Sequence, residues 1–218
     1  MGGGNLEDKF GAMWKQCGHP WRPTRVQAFK WIKDLTKGIT FLHNCHIPIV
    51  HRDLKPANLL LTDEDHLKVA DFGLCKTLQK VQVDGKPYTM TGKTGTMRYM
   101  APEVVKSEPF YDEKVDIYSM AMIFWYILHG VRPFEGVQPN LVAELTSCRG
   151  IRPSLEGLYW PEMANMISRM WSDKPTDRPS SKAILDELNS MCVEDLNGNG
   201  SASEHKCSSK GCVPCAIM

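Results

Sequence analysis

The chain has 218 residues, 42% of them apolar and 23% charged, a composition and length that suit one globular domain with a short appendage and a core that needs no disulfide staples. With 26 Lys and Arg against 25 Asp and Glu, the net charge of +1 excludes wholesale nucleic-acid binding by charge. The longest apolar run, Ile117 to Leu128, falls short of the about 20 residues of a membrane-spanning helix, and residues 1–20 do not read as a secretory signal.

Residues 1–5 are Gly-rich, and a short helix is expected near Leu6 to Trp14. A strong helix follows. Val26, Phe29, Ile32, Leu35, Ile39 and Leu42 recur at steps of three and four, Thr24 and Gln27 fit a capping box, and the end falls near His43 and Asn44. From 47 to 75 the bursts Ile49–Val50, Leu59–Leu61 and Leu67–Ala70 read as short strands, with Thr62–Asp65 as a hairpin turn. Residues 76–100 carry little periodicity and read as a long functional loop. Residues 115–129 form a nearly all-apolar helix that belongs at the centre of the core. Pro161 starts another helix with Met163, Ile167 and Met170 on one side, and Ser180 caps a last one with Ile184, Leu188 and Met191 as its stripe. From Glu194 the character shifts to a flexible, Asn-, Gly- and Ser-rich linker, which sets a domain at 1–193 and a tail at 194–218. Cys17, Cys45, Cys75, Cys148 and Cys192 are scattered and read as buried, reduced thiols; Cys207, Cys212 and Cys215 cluster at the end.

Three strings carry the chemistry. They are His51-Arg52-Asp53-Leu54-Lys55-Pro56-Ala57-Asn58, Asp71-Phe72-Gly73 and Ala101-Pro102-Glu103, in that order. Each alone is weak, and together, with a long loop between the second and third, they are specific. On them the chain resembles the eukaryotic protein kinase family, whose catalytic loop, metal-binding turn and activation-segment end follow these patterns. The resemblance implies Asp53 as acceptor of the substrate hydroxyl proton, Lys55 as a contact of the γ-phosphate, and Asn58 and Asp71 as Mg²⁺ ligands, with ATP and Mg²⁺ as cofactors and a protein as substrate. Gly73 is expected to permit the turn after Asp71. Lys55-Pro56 and Thr96 resemble the serine/threonine type, and the string from Thr91 to Glu103 resembles the tyrosine-kinase-like group that includes the Raf-like enzymes. Arg52 beside Asp53 implies an activation loop ordered by phosphorylation, with Thr91 and Thr94, and also Thr89, as sites. Glu103 and Arg178 resemble a buried ion pair of the family, and Asp116 the residue that holds the catalytic loop from below. His51 reads as a packed scaffold residue. Gly92-Lys93-Thr94 only imitates a phosphate-binding loop, because position 87 is Pro where that motif needs Gly.

The resemblance implies a mainly α large lobe, a helical bundle with short β-hairpins at the cleft, and covers residues 1 to about 193. Neither G-x-G-x-x-G-x-V nor V-A-I-K occurs, so the small lobe is read as absent, and the chain as a fragment or truncated product more than as a natural half-kinase.

Cys215-Ala216-Ile217-Met218 fits C-a-a-X prenylation, with Cys212 or Cys207 open to a second lipid. This implies a prenyltransferase as partner and a cytoplasmic protein held on a membrane surface by its C-terminal lipid. Zinc at His205, Cys207, Cys212 and Cys215 lacks regular finger spacing. N-myristoylation lacks the needed Ser or Thr, since Leu6 stands there. Two functions follow: a lipid-tethered protein serine/threonine kinase, weakly active or inactive in this chain, or a membrane-anchored, non-catalytic, pseudokinase-like binding module.

Overall fold

The computed structural model describes residues 3–77, 96–108, 111–158 and 160–191, without the side chain of Thr96. Thr89, Thr91, Thr94, Cys192, the proposed boundary near 193 and the whole tail with Cys207, Cys212 and Cys215 lie outside the described residues.

Helix α1 runs Leu6–Cys17, longer than expected. Asn5 caps it, its side chain accepting the Asp8 N–H at 2.8 Å. Helix α2 spans Arg25–His43 with Thr24 as its cap. The capping box is only half made. Thr24 Oγ1 accepts the Gln27 N–H at 3.2 Å, but the Gln27 amide turns away and donates to Asp65 Oδ2 at 3.0 Å. The expected stripe also needs one correction. Val26 is 53% exposed, while Ala28, Trp31 and Thr36 are buried. At about 100° per residue the buried face centres on Leu35 and Ile39, and Val26 points about 150° away from it.

Strands β1 (Ile49–Val50), β2 (Leu59–Leu61), β3 (Leu67–Val69) and β4 (Lys76–Thr77) form two antiparallel pairs. β2 and β3 are the expected hairpin, in register Leu59 to Val69 and Leu61 to Leu67. β1 pairs instead with the distant β4, Ile49 to Thr77. The Thr62–Asp65 turn is docked on α2: Trp31 Nε1 donates to Asp65 Oδ1 at 3.2 Å and Lys30 Nζ to the Glu64 carbonyl at 2.8 Å. The Gly-rich start is docked too, because the Leu61 N–H donates to the Gly4 carbonyl at 2.9 Å.

After the short helix α3 (Pro102–Val105), helix α4 (Lys114–His129) is buried on every face from Val115 to Leu128. Helices α2, α6 (Pro161–Met170) and α7 (Ser181–Ser190) share the core with it, α4 touching α2 and α6, and α2 touching α7. Gly130 closes α4 at φ +78°, where any Cβ would sit 2.2 Å from the Trp21 carbonyl oxygen, so only glycine fits. Helix α5 (Pro139–Cys148) has no counterpart in the sequence reading. The architecture is thus mainly α, with short strands at one end, as the resemblance implies. The thiols depart from expectation: among the described residues Cys17 and Cys148, each the last residue of its helix, are exposed, and Cys45 and Cys75 are partly covered. Among the described residues no helix is long and apolar enough to cross a membrane.

Candidate active site

The loop His51–Asn58 leaves β1 and ends in a 3₁₀ turn at Pro56–Asn58. One buried carboxylate sets its shape. Asp116, fully buried in the first turn of α4, accepts the His51 N–H at Oδ2 and the Arg52 N–H at Oδ1, both at 2.8 Å. His43 Nε2, from the end of α2, reaches the same Oδ2 at 2.9 Å. A buried carboxylate with both oxygens engaged is tolerable where a bare one is not. This clamp holds Arg52 at φ +69°, left-handed backbone that L residues rarely adopt. Arg52 then spans the site, its Nε donating to the Leu74 carbonyl at 2.8 Å and its Nη1 to Tyr111 Oη at 3.0 Å.

The clamp leaves three of the sequence-predicted residues together. Asp53 is only 7% exposed. Its Oδ2 accepts Lys55 Nζ at 2.6 Å and Asn58 Nδ2 at 3.0 Å, and Asn58 Nδ2 also donates to the Asp53 carbonyl at 2.8 Å. Asn58 is therefore fixed by its amide nitrogen, which leaves its amide oxygen as the donor for a cation. His51 is the scaffold residue expected. It is fully buried, and its Nε2 donates to the Ala70 carbonyl at 3.0 Å.

Asp71, the fourth predicted residue, is exposed at the end of β3 and is brought near by backbone alone. The Ala70 N–H donates to the Asn58 carbonyl at 2.9 Å. The turn here differs from expectation. Asp71 itself takes the left-handed conformation, at φ +61°, while Gly73 does not. Gly73 is needed for closeness instead: its N–H donates to Asp71 Oδ1 at 3.3 Å, and a Cβ there would lie 3.2 Å from that oxygen. Thr96 begins a 3₁₀ turn to Tyr99, but its side chain is not among the described atoms.

The segment that follows is tied to the late helices by the expected ion pair. Arg178, 1% exposed, donates from Nη1 and Nη2 to the two Glu103 oxygens at 2.6 and 2.9 Å. Its Nε donates to the Ser172 carbonyl at 2.8 Å, and the guanidinium lies over the Tyr118 ring at 5.2 Å.

The protein kinase domain model matches residues 14–188. This chain belongs to the protein kinase family. It is 44% identical over 168 residues to the serine/threonine-protein kinase VIK of Arabidopsis thaliana, a stretch that covers 76% of this chain and 38% of that protein. It is 36% identical over 194 residues to serine/threonine-protein kinase STY46 of the same plant, covering 89% of this chain and 31% of that protein. Human serine/threonine-protein kinase TNNI3K is 34% identical over 185 residues, 83% of this chain and 22% of that protein. The chain thus spans well under half the length of these relatives. Each of these relatives is a serine/threonine-protein kinase.

The residues present fit the cation that this family uses. Among the described residues no three His, Cys, Asp or Glu side chains cluster as a protein cage for a metal. Mg²⁺ does not ask for one, since it keeps several waters and takes one or two protein oxygens beside substrate phosphates. The Asn58 amide oxygen and the Asp71 carboxylate are such a pair of hard donors.

Two parts of this kinase site escaped the sequence reading. His43 and Tyr111, the side-chain partners of Asp116 and Arg52, lie 73 and 59 residues from them. No local pattern marks either residue.

Proposed function

We propose that this chain carries the phosphoryl-transfer residues of a serine/threonine kinase of the tyrosine-kinase-like, Raf-like group, with Asp53, Lys55, Asn58 and Asp71 in the working roles. The observation that carries the proposal is the meeting of Lys55 Nζ and Asn58 Nδ2 on Asp53 Oδ2. Two donors on one oxygen fix the carboxylate's orientation. A substrate hydroxyl docked against Asp53 gives up its proton to that carboxylate as its oxygen attacks the γ-phosphate. Lys55, 25% exposed, is long enough to swing its ammonium toward the transferred phosphate and balance the charge that develops there. Asn58 and Asp71 would hold Mg²⁺, which when bound with ATP neutralises phosphate charge. Phosphate on Thr91 or Thr94 would compete for Arg52, which the Leu74 carbonyl and Tyr111 engage here.

The 218 residues contain no G-x-G-x-x-G-x-V and no V-A-I-K, so nothing in them supplies the Lys–Glu pair that orients the α- and β-phosphates. Transfer by the chain alone is therefore expected to be weak or nil. Two measurements test the site, the first of them without relying on turnover. Mn²⁺ added to the labelled chain is expected to broaden the NMR signals of Asn58 and Asp71 selectively; uniform broadening would remove both from the metal site. Any Mg·ATP-dependent transfer to a serine peptide is expected to vanish in Asp53→Asn, and survival of that transfer would remove Asp53 from its role. We also propose prenylation of Cys215, with Cys212 or Cys207 as a second lipid site, and attachment of the chain to the cytoplasmic face of a membrane. A mass spectrum of the terminal peptide from cells is expected to show the lipid and would rule it out if unmodified.

A further inference from the structure

Helix α2 gives one face to the core and carries a second pattern on the other. Val26, Lys30, Lys33, Lys37 and Phe41 follow one another at steps of four, three, four and four. At about 100° per residue they fall within about 80° of the helix circumference, on the side away from Leu35 and Ile39. Val26 is 53% exposed and Phe41, in the last turn of the helix, 73%. Ile47, six residues on, is 41% exposed. Solvation accounts for the lysines. It gives no reason to leave a phenyl ring and an isoleucine in water at one end of them.

Acids flank this stripe and do not sit on it. Asp34 is turned to the hairpin, its Oδ2 lying 3.0 Å from His66 Nδ1 and accepting the Leu67 N–H at 3.2 Å. Asp65 accepts from Gln27 and Trp31. Asp63 and Glu64 are exposed, in the turn that docks at the Lys30 end through the Glu64 carbonyl. On α7, which packs on α2, Asp186 is exposed and Glu187 pairs with Arg169 at 2.6 Å. From Leu35 to Arg52 the chain contains no Asp or Glu. The half of the stripe that holds Lys33, Lys37 and Phe41 is therefore positive and ends in an apolar tip.

Resting on the membrane reading above, we propose that this face of α2 is a docking surface for an anionic lipid bilayer. One lipid chain holds a membrane only marginally, and stable attachment takes a second signal such as a basic patch. The tail does not carry one, with Lys206 and Lys210 against Glu194, Asp195 and Glu204. The folded part supplies it. Lys33 and Lys37 meet headgroup oxygens while their stems lie along the helix, and Phe41 and Ile47 enter the interface. The cysteine-bearing tail follows α7 in the chain, and α7 packs against α2, so lipid and stripe belong to neighbouring elements.

The test is flotation of the 218-residue chain, made without lipid on any cysteine, with vesicles of phosphatidylcholine alone or with about 30% phosphatidylserine. Binding is expected to the mixed vesicles only, and to be lost at about 1 M salt, where the screening length is about 3 Å. Lys33→Glu combined with Lys37→Glu is expected to weaken it at least about tenfold. Phe41→Ala is expected to weaken it several-fold with urea unfolding unchanged. The same double reversal at the exposed Lys15 and Lys174 is expected to change it less than about threefold. No binding to mixed vesicles, equal binding to both kinds, full binding after reversal of Lys33 and Lys37, or an equal loss in the control pair overturns the docking surface. So does a dimer in sedimentation that Phe41→Ala dissociates, because a second copy is then the occupant. The mass spectrum of the terminal peptide separates the two readings. Vesicle binding with an unmodified peptide removes the lipid and keeps the surface; a lipid-bearing peptide without vesicle binding removes the surface alone; absence of both removes membrane attachment.

Discussion

The catalytic loop and the Asp71 turn lie one hydrogen bond apart and are built in opposite ways. His51, Asp53, Leu54 and Asn58 are almost wholly buried, and Asp116 fixes the loop backbone from the interior. Asp71 and Gly73 are exposed, Phe72 is 51% exposed, and Asp71 carries left-handed backbone with, among the described residues, a side-chain hydrogen bond within its own turn. The group that must receive a proton in one orientation is set before substrate arrives. The group that must follow a metal is left adjustable, with strain that coordination can offset.

The widest break comes from removing the interior clamp. Asp116→Ala strips three donors, two of them buried, of their acceptor, and the cost of an unpartnered buried group predicts a loss of about 3–5 kcal/mol, read from urea unfolding, with His51 and Arg52 amide exchange rising alongside. A loss below about 1 kcal/mol would mean that the loop holds itself. Truncating one apolar side chain in each region comes next. Leu54→Ala, at a site 1% exposed, is expected to cost about 2–4 kcal/mol, and Phe72→Ala under about 1 kcal/mol; equal costs would erase the contrast. Asp71→Gly removes the left-handed strain and is expected to leave stability unchanged or raised by up to about 1 kcal/mol, while Mn²⁺ broadening at residue 71 disappears. The smallest effect leaves stability alone. Burial pushes the Cys75 thiol, two residues beyond the turn, up to about 11 from 9.0. The thiolate share at neutral pH is then roughly 100-fold lower than in the unfolded chain, and alkylation of Cys75 is expected to slow by that factor on folding and to accelerate only toward the raised value.

The same contrast explains what could be read in advance. The four chemical residues sit in two short strings whose spacing is local, so the chain displays them openly. Asp116 was expected because a charge at the head of so apolar a helix demands partners, and Glu103 with Arg178 because the resemblance pairs them. Which groups meet Asp116 depends on how α2 and α4 pack, and no string contains that. Helix α5 escaped for a related reason: its buried face is Val142, Ala143, Thr146 and Ser147, half of it polar, while Leu141 is exposed, so no apolar stripe announces it. Val26 misled in the opposite direction, because steps of three drift backwards around a helix. The turn at Asp71 was assigned to the glycine, whereas the aspartate takes the left-handed backbone and the glycine supplies close approach.

Asp116 also imposes a timetable. It stands 65 residues beyond His51 in the chain, so the catalytic loop cannot acquire its bonded shape until that much more polypeptide has been made. At about 5–20 residues per second of synthesis, the interval is roughly 3 to 13 seconds. Through that window the nascent loop is only a sequence, without an oriented carboxylate. The proton acceptor thus comes into being together with the core helix, and a chain stalled before α4 has no assembled site to misuse.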